Sequence, residues 1–173
     1  MTGSGIAVLA AMASNVQEIG AATPGHWLSS LAVVTTTIGV IIASVLLHYE
    51  GLTLLQRNLG EIHLGPRRMK VLFGIIGVLV MHAIEITFFA VGYAIVHKVH
   101  DGGSISGMPH PPFLDLMYFS ATTYTTVGYG DLAPVGPLRF LAAVESLAGF
   151  VLVSWSASFT YLVMERFWGR RAL

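Results

Sequence analysis

The stretch Thr125–Asp131, which reads TTVGYGD, decides the fold, because a short apolar segment precedes it and a long one follows. The short segment, 113–123, begins after Pro111-Pro112 and carries Asp115 in its first turn, and both features are typical of a helix N-terminus. A helix of about 11 residues spans only ~17 Å, whereas the hydrocarbon core of a membrane is ~30 Å thick. In a membrane, this segment would have to enter and return as a re-entrant helix followed by a loop.

The composition of the whole chain indicates a membrane protein. Of its 173 residues, 54% are hydrophobic and only 10% are charged, against about 25% charged residues in soluble domains. Nine Lys and Arg balance nine Asp and Glu, which excludes a basic nucleic-acid binder and an acidic disordered tail. The absence of cysteine excludes disulfide scaffolds, thiol nucleophiles and cysteine-ligated zinc.

Three further apolar segments are long enough to cross a membrane as helices. We place these spans at 27–48, 71–97 and 137–167. Inside hydrocarbon only helices and closed barrels satisfy every backbone hydrogen bond, and the alternating pattern of barrel strands is absent. The predicted fold is therefore an all-α membrane protein with three transmembrane helices and one re-entrant helix.

The cations predict the orientation of the chain. Seven of the nine Lys and Arg residues lie either in the loop 49–70 or near the C-terminal tail 168–173. By the positive-inside rule this side is cytoplasmic. The chain would then cross the cell membrane with its N-terminal segment 1–26 outside the cell and its C-terminus in the cytoplasm. The segment 1–26 lacks the basic start of a secretory signal, so we favour a retained segment over a cleaved signal. Arg67, Arg68 and Lys70 could contact anionic lipid, although orientation by charge also explains them.

The deciding stretch resembles the selectivity filter of potassium-channel pore domains, whose signature TVGYG stands unbroken at Thr126–Gly130. The resemblance extends over 119–134 and implies a small channel of the prokaryotic type with one extra N-terminal transmembrane helix. It divides the pore domain, 71–167, into an outer helix at 71–97, a turret at 98–111, a pore helix at 112–125, a filter at 126–131 and an inner helix at 137–167.

The resemblance also assigns the residues of the filter. Rings of backbone carbonyls replace the water shell of K⁺, and glycine permits the alternating backbone that aims successive carbonyls at one axis. A glycine-rich turn is the alternative, but five specified residues between a re-entrant helix and a transmembrane helix favour the filter. By this resemblance K⁺ binds at Thr126, Val127, Gly128 and Tyr129, Gly130 completes the filter, and Thr125 and Asp131 support it.

The filter of this family needs four strands around one axis. The chain carries one copy and no internal repeat, so the resemblance implies a homotetramer. Some channels have a carboxylate at the position of Thr122 that pairs with the acid after the filter, and Asp131 lacks that partner here.

The inner helix holds candidate gating residues. Gly149 lies where the family commonly has a hinge glycine, and a small residue for close helix packing is an equal alternative. The periodicity of the helix in this family gives four candidates for the cavity lining, namely Ser146, Phe150, Val153 and Ala157.

Three ionisable residues lie within the second and third spans, where such groups are functional candidates. His82 and Glu85 share a helix face, and Glu145 lies one turn before Gly149. One hypothesis is a protonation-sensitive latch, and a buried hydrogen-bonded pair that only stabilises packing is the favoured alternative. A metal site would need a third ligand beside His82 and Glu85, and the sequence predicts none nearby.

The sequence as a whole predicts a potassium-selective, passive channel rather than an enzyme. It needs no cofactor beyond the permeant K⁺ ions, no small-molecule substrate and no nucleic acid. A membrane enzyme around His82 and Glu85 is one alternative, and a non-conducting or weakly selective, channel-like sensor or accessory subunit is another. The extra helix has no repeating Arg or Lys, so we expect a structural helix rather than a voltage sensor.

Overall fold

The computed structural model describes residues 26–61, 67–107 and 109–168. Most of the predicted N-terminal segment and cytoplasmic tail, and the middle of the first loop, lie outside the described residues. The described elements, in chain order, are α1 (His26–Glu61), α2 (Arg67–His97), β1 (Ser104–Ile105), α3 (Phe113–Tyr124), β2 (Pro134–Val135) and α4 (Leu138–Trp168).

Helices α1, α2 and α4 are each long and apolar enough to cross a membrane. They correspond to the three predicted spans, and the short α3 lies between α2 and α4 in the chain. The prediction of an all-α membrane protein is confirmed.

Helix α1 extends well beyond the predicted span. The boundary at residue 48 was placed at the end of the apolar run, but the helix continues to Glu61 through more than half of the predicted loop. Charged residues end the membrane-buried part of a helix without ending the helix itself. The extension is stabilised by packing, because Leu52 lies in a buried cluster with Val78, and Leu59 lies in another with Val163. Helix α2 likewise begins at Arg67 rather than at residue 71.

The re-entrant helix α3 is 12 residues long and therefore cannot span a bilayer. Pro112 precedes its first turn in an extended conformation, as expected for a proline that restricts the chain entering a helix. At its C-terminal end the backbone N–H of Thr125 donates to the Ala121 carbonyl, and that of Thr126 donates to the Thr123 carbonyl. The chain then leaves the helix directly into the filter segment, residues 126–131.

A two-residue antiparallel strand pair joins the chain before α3 to the chain after the filter segment. Ser104 pairs with Val135 and Ile105 with Pro134, so the turret is tied to the chain after the filter segment. Gly103 has a φ of +105°, and a Cβ there would lie 2.4 Å from the Val135 carbonyl oxygen. Only glycine fits this position without moving the backbone.

The main core lies where α2, α3 and α4 meet. Its largest side chains include Phe89 and Tyr93 from α2, Phe119 and Tyr124 from α3, and Leu141 from α4. Because α3 contributes its buried face to this core, the position of the filter segment is set by the packing of the two helices around α3.

Candidate functional site

The backbone of the filter segment alternates in hand. Thr126, Gly128 and Gly130 have φ angles of +59°, +49° and +82°, while positive φ is absent at the intervening Val127 and Tyr129. The left-handed region is open to glycine but unfavourable for a β-branched residue such as threonine. The sequence predicted this freedom at the two glycines and missed it at Thr126.

The filter segment is exposed on the surface of the single chain. Tyr129 is 72% exposed and Val127 is 55% exposed. Among the described residues, no heavy atom lies within 4 Å of the position a Cβ would take at Gly128 or Gly130. The segment therefore presents an irregular backbone that the described part of the chain leaves uncovered.

Hydrogen bonds and ring stacking support the filter segment from α3. The Tyr118 hydroxyl donates to the Asp131 carboxylate over 2.9 Å, and the Tyr118 and Tyr129 rings stack with centroids 6.5 Å apart. The Gly128 N–H also donates to the Thr122 carbonyl. Asp131 thus lacks a carboxylate partner at residue 122, as the sequence indicated, and bonds to Tyr118 instead. The hydrogen bond to Asp131 raises the pKa of the Tyr118 phenol above its ordinary value.

Thr125, predicted to support the filter, completes the end of α3. Its hydroxyl donates to the Ala121 carbonyl over 2.7 Å, and its backbone is helical. Beside the filter segment lies a cavity of about 570 Å³, whose lining includes Thr123, Thr126, Arg139 and Ser146. The filter and the first turns of α4 therefore share one concave surface.

The four predicted cavity residues all lie on α4. Ser146 is half-buried, and its hydroxyl donates to the Thr123 carbonyl at the base of the filter segment over 3.2 Å. Phe150, Val153 and Ala157 are exposed in the single chain and follow at intervals of three to four residues, which places them on adjacent parts of one face. Their role in a central cavity stays a prediction.

Gly149 packs against the end of α3. A Cβ on this residue would lie 2.0 Å from the Tyr124 carbonyl oxygen, a distance that real side chains do not tolerate. Close packing therefore explains the glycine by itself, and its role as a gating hinge stays a prediction.

Glu145 joins three helices through the Glu145 cluster, which consists of Tyr93, Ser120 and Glu145. Its carboxylate accepts hydrogen bonds from the Tyr93 hydroxyl of α2 and, over 2.5 Å, from the Ser120 hydroxyl of α3. The Glu145 side chain is fully buried. A buried carboxylate of this kind is stable only because its oxygens are bonded.

His82 and Glu85 belong to a second group, the Glu85 cluster, which also contains His48 and Tyr124. His82 Nδ1 lies 2.9 Å from one Glu85 oxygen, and the Tyr124 hydroxyl donates to the same oxygen. His48 Nδ1 lies 2.8 Å from the other Glu85 oxygen. The three predicted proton-sensitive residues therefore divide between two clusters, with Glu145 in the other one.

The prediction that no third metal ligand lies near His82 and Glu85 is wrong. His48 of α1 supplies it, with one potential ligand atom from each of the three residues within 4.8 Å of the others. The sequence missed His48 because it was read only as the end of the first apolar run, 37 positions before Glu85. A histidine at the end of a charge-free run was the available signal.

Comparison with known proteins identifies the part of the chain that carries the filter segment. Residues 84–166 match the model of a family described as "Ion channel". The inward rectifier potassium channel Kirbac3.1 of Paramagnetospirillum magnetotacticum is 42% identical over 55 residues, which is 31% of this chain and 19% of that protein.

Two shorter matches are to Protein LctB. The proteins of Bacillus caldotenax and Geobacillus stearothermophilus are 42% and 45% identical over 38 residues, which is 22% of this chain and 28% of each relative. The chain thus spans less than a third of the length of these curated relatives. No solved structure matches the chain significantly. Residues 84–166, from α2 through α3 and the filter segment to the last turn of α4, thus match the model of the ion-channel family, and part of the chain is similar to a potassium channel.

Proposed function

We propose that this protein is a potassium-selective channel through which K⁺ moves passively along backbone carbonyls. The observation that carries this proposal is the alternating backbone of 126–130, which follows directly on the C-terminal end of α3. Carbonyls that point to one axis can replace the hydration shell of K⁺, and several such sites in series allow ions to move by mutual repulsion. Conduction of this kind uses no cofactor and no chemical turnover.

The electrostatics of α3 support cation binding below the filter. The C-terminal end of a helix carries a partial negative charge of about half an elementary charge. In this chain that end, at Tyr124, lies two residues before Thr126. A cation waiting at the inner end of the filter segment would be stabilised there, while the Asp131 carboxylate attracts cations at the outer end.

The channel we propose is a homotetramer. An exposed irregular backbone is tolerated at membrane depth only where protein or a water-filled cavity covers it. The filter segment of one chain is uncovered, and one chain supplies one strand. Four copies around a closed four-fold axis would cover the backs of the strands and leave their carbonyls facing a pore.

We further propose that the filter opens to the outside of the cell membrane. Seven of the nine cations then lie on the cytoplasmic side, between the last turns of α1 and the start of α2 or near the end of α4, where contact with anionic lipid is favourable. The N-terminal segment lies outside and the C-terminal tail inside.

Flux measurements on purified protein in liposomes test the function. A K⁺ gradient should drive flux that barium blocks, whereas an equal Na⁺ gradient should drive little. Equal Na⁺ and K⁺ flux would indicate a weakly selective channel. The absence of flux from a folded tetramer would indicate a sensor or accessory subunit that only retains the channel fold.

A further inference from the structure

The Glu85 cluster brings together four polar groups from three helices. His48 comes from α1, His82 and Glu85 from α2, and Tyr124 from α3. The Tyr124 oxygen lies 2.9 Å from His82 Nδ1 and also donates to Glu85, so the other three groups all contact the Glu85 carboxylate. The two imidazole rings have their centroids 5.5 Å apart.

The Glu85 cluster is shielded from water within the chain. The side chains of His48 and Glu85 are fully buried, Tyr124 is almost fully buried, and the side chain of His82 is 13% exposed. The Trp155 ring of α4 covers His48, with ring centroids 5.1 Å apart. Ionisable groups at membrane depth are costly and are commonly retained for binding or transport.

The donors match those that proteins use for zinc. Two imidazole nitrogens and a carboxylate form a three-ligand set that binds Zn²⁺ at about 2.0–2.2 Å per bond, with a fourth position for another donor. The three ligand atoms already lie within 4.8 Å of one another. The Tyr124 oxygen is the fourth donor available in the same cluster.

The surroundings of His48 fit a metal ligand. Histidines that bind a metal through one nitrogen usually donate the other N–H to a nearby acceptor, which fixes the tautomer. His48 Nε2 lies 3.4 Å from the Ser156 hydroxyl oxygen of α4, on the side of the ring opposite Glu85. A metal at Nδ1 would place the proton on Nε2, where Ser156 accepts it.

The charges also suit a divalent cation. Two neutral imidazoles and the Glu85 carboxylate leave a net charge of +1 around Zn²⁺. If the metal displaces the proton of the Tyr124 hydroxyl into solvent, the phenolate oxygen becomes the fourth ligand and the site is neutral. A neutral site has the smallest desolvation cost at this depth.

We propose that His48, His82 and Glu85, completed by Tyr124, bind a divalent transition-metal ion of the zinc type. The site would connect the extra helix α1 to α3 only two residues before Thr126. It would therefore explain why this pore domain carries an additional helix packed against it. The inference goes beyond ion conduction and does not depend on it.

Metal binding to the purified full chain tests the proposal. The background variant replaces with alanine the five histidines outside the cluster, namely His26, His63, His97, His100 and His110. We expect one Zn²⁺ per subunit by elemental analysis and calorimetry, and the visible absorption of tetrahedral Co²⁺ when Co²⁺ replaces it.

Substitutions in and beside the cluster should lower the Zn²⁺ affinity strongly at the residues that bind the metal and weakly at the residue that only contacts a ligand. Glu85→Gln and His48→Ala should weaken Zn²⁺ binding by more than 100-fold, on the order expected when a ligand is lost. Ser156→Ala should weaken it by about tenfold, because it removes an outer-shell contact. Ser158→Ala is the matched control for Ser156→Ala. Ser158 lies on the same helix but is exposed and, among the described residues, bonds only to the Ser154 carbonyl of that helix, so this variant should bind Zn²⁺ as the background does.

Tyr124→Phe distinguishes the loss of a metal ligand from a failure to fold, because it keeps the aromatic ring and removes only the oxygen. It should remain folded, since Glu85 keeps its contacts with His48 and His82, and it should change the Co²⁺ absorption. The proposal is overturned if the folded background variant binds no Zn²⁺ or Co²⁺, or if Glu85→Gln binds them equally well. Since these readouts need no ion flux, a chain that binds metal but does not conduct would contradict only the proposed function.

Discussion

The filter segment and the Glu145 cluster both adjoin α3, but they differ in burial and in hydrogen bonding. The filter segment is exposed, and three of its φ angles lie in the left-handed region. The Glu145 cluster is buried and bonded within one chain by side chains from α2, α3 and α4. Side chains of one chain are sufficient to bond the Glu145 cluster, whereas in the homotetramer that we propose neighbouring copies would cover the filter segment. Substitutions in the two regions should therefore affect different properties.

The largest effect on function is expected for Gly128→Ala. The substitution places a side chain at a φ of +49° in the filter, so it should abolish K⁺-selective flux while leaving the fold of the subunit intact. Gly107→Ala is the matched control, because Gly107 also has a positive φ and open space but lies in the outer turn. Liposome flux and thermal melting measure the two properties. Equal loss of flux in both variants would show that strain anywhere, rather than in the filter, stops conduction.

The largest effect on stability is expected for Glu145→Ala. It leaves the buried Tyr93 hydroxyl without its carboxylate acceptor, whereas the Ser120 hydroxyl keeps the Ile86 carbonyl at 2.8 Å. An unsatisfied buried hydroxyl costs about 1–3 kcal/mol, and the cavity left by the shorter side chain adds to that loss. Thermal or denaturant unfolding in detergent measures the loss. Glu165→Ala, at an exposed position on the same helix, should change stability by less than about 0.5 kcal/mol. If both variants unfold alike, the cluster does not hold the three helices together.

A smaller loss of stability is expected for Gly149→Ala. The new Cβ would meet the Tyr124 carbonyl at 2.0 Å, so α4 must move away from α3, at a cost of about 1–3 kcal/mol. Gly39→Ala in α1 is the control, because nothing described lies within 4 Å of its Cβ position, and it should be neutral or slightly stabilising. Unchanged stability with altered channel opening in Gly149→Ala would favour a hinge over close packing.

The smallest effect is expected at the outer rim. The hydrogen bond from Tyr118 to Asp131 raises the pKa of the phenol, so Asp131→Asn should lower that pKa toward its ordinary value of about 10. The stabilisation of the folded state by this bond is present below pH ~10 and is lost as the pH rises through the raised pKa of Tyr118. Ultraviolet titration of tyrosinate measures the shift, with Tyr118→Phe identifying the signal. A titration curve identical in wild type and Asp131→Asn would exclude the bond.

Features built from contiguous residues could be predicted from the sequence, whereas contacts between distant residues could not. The filter segment, the re-entrant helix and the three spans depend on contiguous residues, so composition, length and the TVGYG motif predicted them. His48 beside Glu85 and Tyr118 beside Asp131 are contacts between distant positions, and a single sequence gives no measure of such distances. The helical extension to Glu61 was missed for a related reason, because packing against α2 and α4 stabilises it.

The central claim, that the filter segment selects K⁺, is tested most directly by the reversal potential of the purified protein in a planar bilayer. With K⁺ on one side and Na⁺ on the other, we predict a reversal potential close to that of a membrane permeable only to K⁺. The same measurement on Gly107→Ala should give the same value. A reversal potential near zero, from a folded and conducting tetramer, would contradict potassium selectivity.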